Sequence, residues 1–182
     1  MNRQQALDAV KSEISNQNLI KHMLATEAVM RGLAAHFGQD VEEWGLAGLL
    51  HDIDLDRCNN DLTVHGRLSA EMAGELGATD AACHAILCHG MLGEPCNTLM
   101  DKALYCADPV TGLITAGALI RPEKKLAVVQ AKSILKRFKE KSFAAGANRE
   151  QIATCADIGL TLEEFITLSL EAMQAVADDL GL

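Results

Sequence analysis

Wherever this chain turns apolar, it does so at the spacing of a helix. Ala6, Val10 and Ile14 recur every four residues, while His22, Thr26, Val29 and Leu33, and again His65, Ser69, Met72 and Leu76, follow the i, i+4, i+7, i+11 pattern of one helical face. Sheet-forming residues are scarce: aliphatics dominate the 49% hydrophobic share and aromatics make up 3%. The expected fold is therefore all-α, a single-domain helical bundle. Its 182 residues are enough to bury about 70% of the unfolded chain's surface without a covalent staple. The six cysteines show no C-x-x-C spacing and no charged-then-apolar leader precedes the first helix, so free thiols in a reducing cytoplasm are expected. No apolar run approaches the ~18 residues that span a bilayer, which predicts a soluble protein with no membrane partner. A net charge of −9 argues against a dedicated nucleic-acid binder, whose phosphate contacts need a basic surface. Small substrates stay open.

Read in order, residues 3–15 form a helix with no evident role in function. Asn18 is placed to cap a second helix that runs to about Phe37 and points His22 inward. His36 lies fourteen residues further on, about 21 Å along the same helix, too far to share a site with His22. After the break at Gly38-Gln39, Asp40 and Glu43 have capping-box spacing and start a helix with Trp44, Ala47, Gly48 and His51 on one face. Gly45 and Gly48 there imply close helix approach. Residues 52–61 read as a loop, 63–76 as a helix ended by Gly77, and Asp80 as the cap of a helix that turns His89 inward and His84 about 140° away. After a loop over 90–97, Thr98 and Asp101 open a helix to Asp108, which Pro109 is expected to leave at a helix terminus or kink.

Residues 1–120 are expected to form the core and 121–182 a helical extension packed on it. Pro122 marks the entry to a long helix over 123–143, with a buried stripe of Ala127, Ala131, Ile134 and Phe138 and an opposite stripe of Lys125, Lys132, Lys136 and Lys139. The lysine stripe reads as a solvated face. Asn148/Gln151 and Thr161/Glu164 carry capping-box spacings for two further helices.

The chemistry converges on Leu50-His51-Asp52. An imidazole and a carboxylate from adjacent positions make a metal site plausible, but a single His-Asp pair is weak evidence: six histidines in 182 residues make a chance pair common. The surroundings decide. His22, His51, His65, His89 and Asp108 come from five successive predicted helices, each inward or at a terminus, and bundle cores are where facing helices build metal sites.

At this point the chain resembles the HD-domain superfamily of metal-dependent phosphohydrolases, whose pattern H…HD…H…H…D sits on an all-α bundle. Here it reads Lys21-His22, Leu50-His51-Asp52, Val64-His65-Gly66, Cys88-His89-Gly90 and Ala107-Asp108, over roughly residues 18–120. The resemblance implies a first metal held by His22, His51, Asp52 and Asp108, and a second by His65, His89 and a bridging Asp52, with Asp52, His65 and His89 at the reaction centre. The common continuation after the HD pair is Ile-Gly-Lys, and here it is Ile53-Asp54-Leu55. Asp54 could support a metal ligand or face substrate, but it is expected as a solvated loop carboxylate.

Two such metals would lower the pKa of a shared water, so that hydroxide could attack phosphorus while both cations offset phosphoryl charge. Nitrogen and oxygen ligands without thiolate fit divalent Fe, Mn, Co or Zn. Cys88 and Cys106 read as small buried hydrophobes rather than ligands of this centre. The expected function is hydrolysis of a small phosphorylated compound such as a nucleotide. An HD-type di-iron oxygenase, a non-catalytic HD-like signalling module and a purely structural bundle are the other classes the residues leave open.

Overall fold

The computed structural model describes residues 1–59, 61, 63–90 and 93–182. Parts of the expected 52–61 and 90–97 loops, at Asn60, Leu62, Met91 and Leu92, lie outside the described residues. Among the described residues the chain is helical and no strand occurs. No described helix is long and apolar enough to cross a membrane, and all six cysteines are free thiols.

The first helix, α1 (Arg3–Glu13), opens with a capping box between Asn2 and Gln5. It buries Ala6 and Val10, and Ile14 just beyond it. Arg3 also reaches the buried carboxylate of Glu27 on α2 (Gln17–Phe37), its Nη2 donating at 2.8 Å. The cap of α2 is Asn16, whose side chain accepts from Asn18 N, so the expected cap at Asn18 is corrected by two residues. Gly38, in the left-handed region at φ 65°, ends the helix.

Asp40 caps α3 (Val41–Leu50), accepting from the backbone N–H of Glu42 and Glu43. The expected close approach falls at Gly48. A methyl group there would stand 2.8 Å from the Thr26 carbonyl oxygen and 2.9 Å from Glu27 Cα, so only glycine lets α3 lie flat on α2. The next residues form turns and the short helix α4 (Leu55–Cys58), where a loop was expected. The helix expected over 63–76 is shorter, α5 (Arg67–Glu75), and His65 stands in the turn before it. For α6 (Asp80–His89) the cap is Thr79, accepting from Ala82 N, and Asp80 is the first helical residue.

The longest departure from expectation is α7 (Leu99–Leu119), which opens on the Thr98/Asp101 capping box and continues past Pro109 to Leu119. Asp108 therefore sits inside a helix rather than at its end. Proline has no N–H to give the carbonyl four residues earlier. Gln151 takes that place, its Nε2 donating to Tyr105 O at 2.8 Å. Gln151 consequently does not return to Asn148, which alone caps the helix that begins at Arg149.

The long helix expected over 123–143 is broken. Lys124 has φ 50°, a 3-10 turn covers Leu126–Val128, and only Ala131–Phe138 forms a helix, α8. Leu126 and Val129 are buried while Ala127 is exposed. Ile134 is buried and the expected Ala131 and Phe138 pack at the edge of the core. Residues beyond Phe138 wrap around Arg149, whose guanidinium donates to the carbonyls of Ala144 at 2.7 Å and Ala147 at 2.6 Å. Then follow α9 (Arg149–Ala153), a 3-10 turn over Thr154–Ile158, α10 (Leu162–Ala175) with the Thr161/Glu164 capping box, and α11 (Ala177–Leu180). These elements pack on the core through small residues. Gly32 of α2 faces Ala172 of α10, and Gly117 of α7 faces Ile134 of α8.

Candidate metal centre

Asp52 follows the C-terminal end of α3 and holds its carboxylate between two pairs of histidines. Its Oδ2 lies 3.5 Å from His22 Nε2 and 3.4 Å from His51 Nε2, while its Oδ1 lies 3.4 Å from His65 Nε2 and 3.3 Å from His89 Nε2. Asp108 closes the first side, with Oδ1 3.1 Å from His22 Nε2 and 3.8 Å from His51 Nε2. The six residues expected to share a centre are thus brought together, from α2, α3, the turn before α5, α6 and the middle of α7. His36 and His84 stand outside it. His84 pairs with Asp101, its Nδ1 3.1 Å from Oδ2.

Each imidazole is held by its other nitrogen. His51 Nδ1 donates to the Gly48 carbonyl at 2.8 Å, and His89 Nδ1 donates to the Ile86 carbonyl. His65 Nδ1 donates to Asp54 Oδ1 at 2.8 Å. His22 Nδ1 faces Thr111 Oγ1 at 2.9 Å, and that hydroxyl already donates to the Asp108 carbonyl at 2.8 Å, so it accepts from His22. All four Nδ1 protons are therefore committed, and all four Nε2 lone pairs point inward. Two of them, on His22 and His51, stand 3.1 Å apart. Lone pairs that close, ringed by two carboxylates, require a cation between them. The donor set fits a divalent metal. In its absence a proton serves: burial alone would push the His22 imidazole down, but hydrogen bonds to Asp108 and Asp52 outweigh it and hold its pKa at about 10. Burial likewise would raise the Asp52 carboxyl, and the neighbouring His51, His22 and His89 keep it well below the usual carboxylate range.

Several supporting residues were missed or ranked low in sequence reasoning. Asp54 is fully buried, which corrects the expectation of a solvated loop carboxylate. Its Oδ1 orients His65, and its Oδ2 accepts from Gly66 N at 3.2 Å. Gly66 and Gly90, each directly after a histidine of the second side, meet backbone to backbone. A methyl on Gly90 would stand 2.8 Å from both Gly66 Cα and the His65 carbonyl oxygen. That contact is what brings His65 and His89 to the same carboxylate oxygen, and the repeated His-Gly dipeptide was its only sequence signal. Thr111 lies one helical turn after Asp108, a spacing that could have found it.

A cavity of about 320 Å³ abuts the centre at His22 and Thr111 and is also lined by Asn18, Lys21 and Thr115. Cys88 and Cys106 do not join the centre. The Cys88 thiol donates to the Pro95 carbonyl and the Cys106 thiol to that of Ala103.

Three relatives share sequence with part of this chain. The chain is 30% identical to ribonuclease Y of Nitratidesulfovibrio vulgaris over 97 residues, 53% of this chain and 18% of that protein. It is 32% identical to ribonuclease Y of Chloroflexus aurantiacus over 96 residues, 53% of this chain and 19% of that protein. With ribonuclease Y of Lawsonia intracellularis it shares 28% identity over 131 residues, 71% of this chain and 23% of that protein. The chain thus spans less than a quarter of the length of these relatives. No solved structure matches it. The HD domain family matches residues 19–112, the segment that carries His22, His51, Asp52, His65, His89 and Asp108, and the chain belongs to that family.

Proposed function

We propose that this chain is a metal-dependent phosphohydrolase that acts on a small phosphorylated compound, with nucleotides the leading class, at a centre of two divalent cations. The observation that carries the reading is the placement of Asp52, one carboxylate oxygen toward His22 and His51 and the other toward His65 and His89. His22, His51, Asp52 and Asp108 would hold one cation, and His65, His89 and Asp52 the other. Divalent Fe, Mn, Co or Zn bound there supplies Lewis acidity that activates water near neutral pH and offsets charge on a phosphoryl group.

The chain's own side chains supply the rest. Asp52 fixes the spacing of the two sides, Asp54 and the Gly48 and Ile86 carbonyls fix the imidazole orientations, and Lys21 in the adjoining cavity offers a cation to a phosphate. No protein nucleophile is needed. The relatives are by name ribonucleases, which makes RNA the competing substrate. The net charge of −9 supports a small substrate over an extended polyanion.

The test is hydrolysis under anaerobic conditions by the Mn²⁺- and Co²⁺-loaded protein, read as phosphate release from a panel of nucleotides and small phosphoesters and as shortened fragments from a short single-stranded RNA. Turnover of small phosphoesters is expected. Cleavage of the RNA alone would move the substrate to nucleic acid. Oxygen-dependent turnover by the iron form, with hydrolysis by no metal form, would replace the hydrolase with an oxygenase.

A further inference from the structure

A second cluster of metal-ligating side chains lies where α6 meets α7, apart from the His/Asp centre. His84 and Cys88 are four residues apart on α6 and so share a face. Asp101 belongs to the first turn of α7, and Cys96 lies in the connection just before it. His84 Nδ1 stands 3.1 Å from Asp101 Oδ2 and 3.5 Å from Cys88 Sγ. His84, Cys88 and Asp101 each bring a ligand atom within 4.8 Å of the others, and the Cys96 thiol donates to the Cys88 carbonyl at 3.9 Å.

The carboxylate of Asp101 is the informative group. It is completely buried. Its Oδ2 accepts from Asn97 N at 3.0 Å and Thr98 N at 2.8 Å as the cap of α7, and faces His84 as well. Its Oδ1, equally buried, has no hydrogen-bond partner among the described residues. A buried carboxylate oxygen without a partner is destabilising, and more so when charged. A helix cap alone would be served by one oxygen and does not account for the burial of the other. A cation shared by this carboxylate with His84 and Cys88 would.

We propose that His84, Cys88 and Asp101, joined by Cys96 once its thiol turns away from the Cys88 carbonyl, form a structural zinc site that clips the end of α6 to the start of α7. Neighbouring ligands around a tetrahedral zinc, with Zn–N about 2.0–2.1 Å and Zn–S about 2.3 Å, stand about 3.3–3.8 Å apart. The His84–Cys88 separation of 3.5 Å falls in that range and the His84–Asp101 separation of 3.1 Å just below it. Thiolate ligands select zinc over the harder cations that an all-N/O set accepts. Zinc binding releases the two thiol protons to solvent. The clip would also fix the last turn of α6, from which His89 projects directly after Cys88.

The site is read without reference to activity by loading the reduced, metal-stripped full chain with Co²⁺ under anaerobic conditions. The six residues of the His/Asp centre supply no thiolate, and a Cys58→Ser variant, which removes the thiol beside Asp54 and His65, should keep the near-ultraviolet thiolate-to-cobalt charge-transfer absorption, so that the band reports the α6–α7 cluster. The band is expected in the wild-type chain and in a His51→Ala, Asp52→Asn double variant, and Zn²⁺ should displace it. Cys88→Ser should abolish it. A band that persists in Cys88→Ser, or no band in the wild-type chain, overturns the proposal. Because a variant at the α6 end could fail to fold, alkylation of the unmutated chain gives a second reading. Zn²⁺ should slow modification of Cys96 by about tenfold and leave Cys83, which is similarly half-buried, unchanged. Equal protection of both, or of neither, also overturns it.

Discussion

His65 Nδ1 donates to Asp54 Oδ1 at 2.8 Å while Asp54 Oδ2 accepts from the next backbone N–H, that of Gly66, at 3.2 Å. One buried carboxylate thus fixes both the ring and the backbone of the same residue. The anchor for Asp54 is the opposite face of the turn, where its own N–H donates to Ser69 Oγ at 3.2 Å. An asparagine at 54 cannot accept from both donors, because its amide nitrogen must face one of them. Asp54→Asn should therefore loosen His65 and lower affinity for the second cation by about 10- to 100-fold, the usual cost of losing such an outer carboxylate. Binding of the first cation should change less. A competitive chelator titration that resolves the two steps checks this, and equal loss at both steps would count against it.

The metal-free centre should release protons as it loads. Hydrogen bonds to Asp108 and Asp52 hold the His22 pKa at about 10 against the lowering effect of burial, so near neutral pH the imidazolium proton must leave before a cation can take Nε2. Calorimetry near pH 8 in buffers of different ionisation enthalpy should find at least ~1 proton released per chain, and affinity should rise about tenfold per pH unit up to a pH near 10. The same shift governs the metal-free fold. A raised pKa stabilises it fully below the ordinary value of 6.5, and that stabilisation is lost as pH rises through about 10. Proton release indistinguishable from zero would contradict the arrangement of Nδ1 donors described above.

How much of this was legible differed by residue. Helical spacing was enough to turn His22, His51 and His89 inward, because each sits on a helix whose apolar face the core must cover. Asp54 was only partly legible, support for a metal ligand ranking below a solvated carboxylate: a polar segment reads as solvated, and its burial depends on a turn returning from Ser69, fifteen residues on. Asp108 was expected at a helix terminus or kink, and the terminus half of that reading failed for a similar reason. The local rule at Pro109 is correct about the missing donor, but Gln151, 46 residues from Tyr105, supplies one. The expected 123–143 helix failed where tertiary contacts took its carbonyls. Gln174 Nε2 donates to Leu126 O at 2.9 Å and Val129 O at 3.3 Å.

The pairing of Pro109 with Gln151 makes a double-mutant cycle informative. Gln151→Ala leaves the Tyr105 carbonyl without its partner and should cost about 1–3 kcal/mol. In a Pro109→Ala background the new backbone N–H can reach the same carbonyl, so Gln151→Ala should cost distinctly less there. Urea unfolding of the four chains measures the coupling. Additive effects would show that Gln151 stabilises the protein by some other route than the carbonyl that proline leaves free.

The last prediction separates the two sides of the centre. Asp52 alone offers one oxygen to His22 and His51 and the other to His65 and His89. Asp52→Asn replaces an anionic group shared by both sides with a neutral amide that cannot present two equivalent oxygens, so both sides should lose affinity together. His65→Ala removes a donor from the second side only and leaves His22, His51, Asp52 and Asp108 in place. Metal analysis after dialysis should therefore find the Asp52→Asn chain nearly empty and the His65→Ala chain retaining the first cation. Hydrolytic kcat should fall in both, and further in Asp52→Asn. If His65→Ala emptied the centre as completely as Asp52→Asn, the division of ligands between two sides would be wrong, and His65 would have to be reassigned to the first.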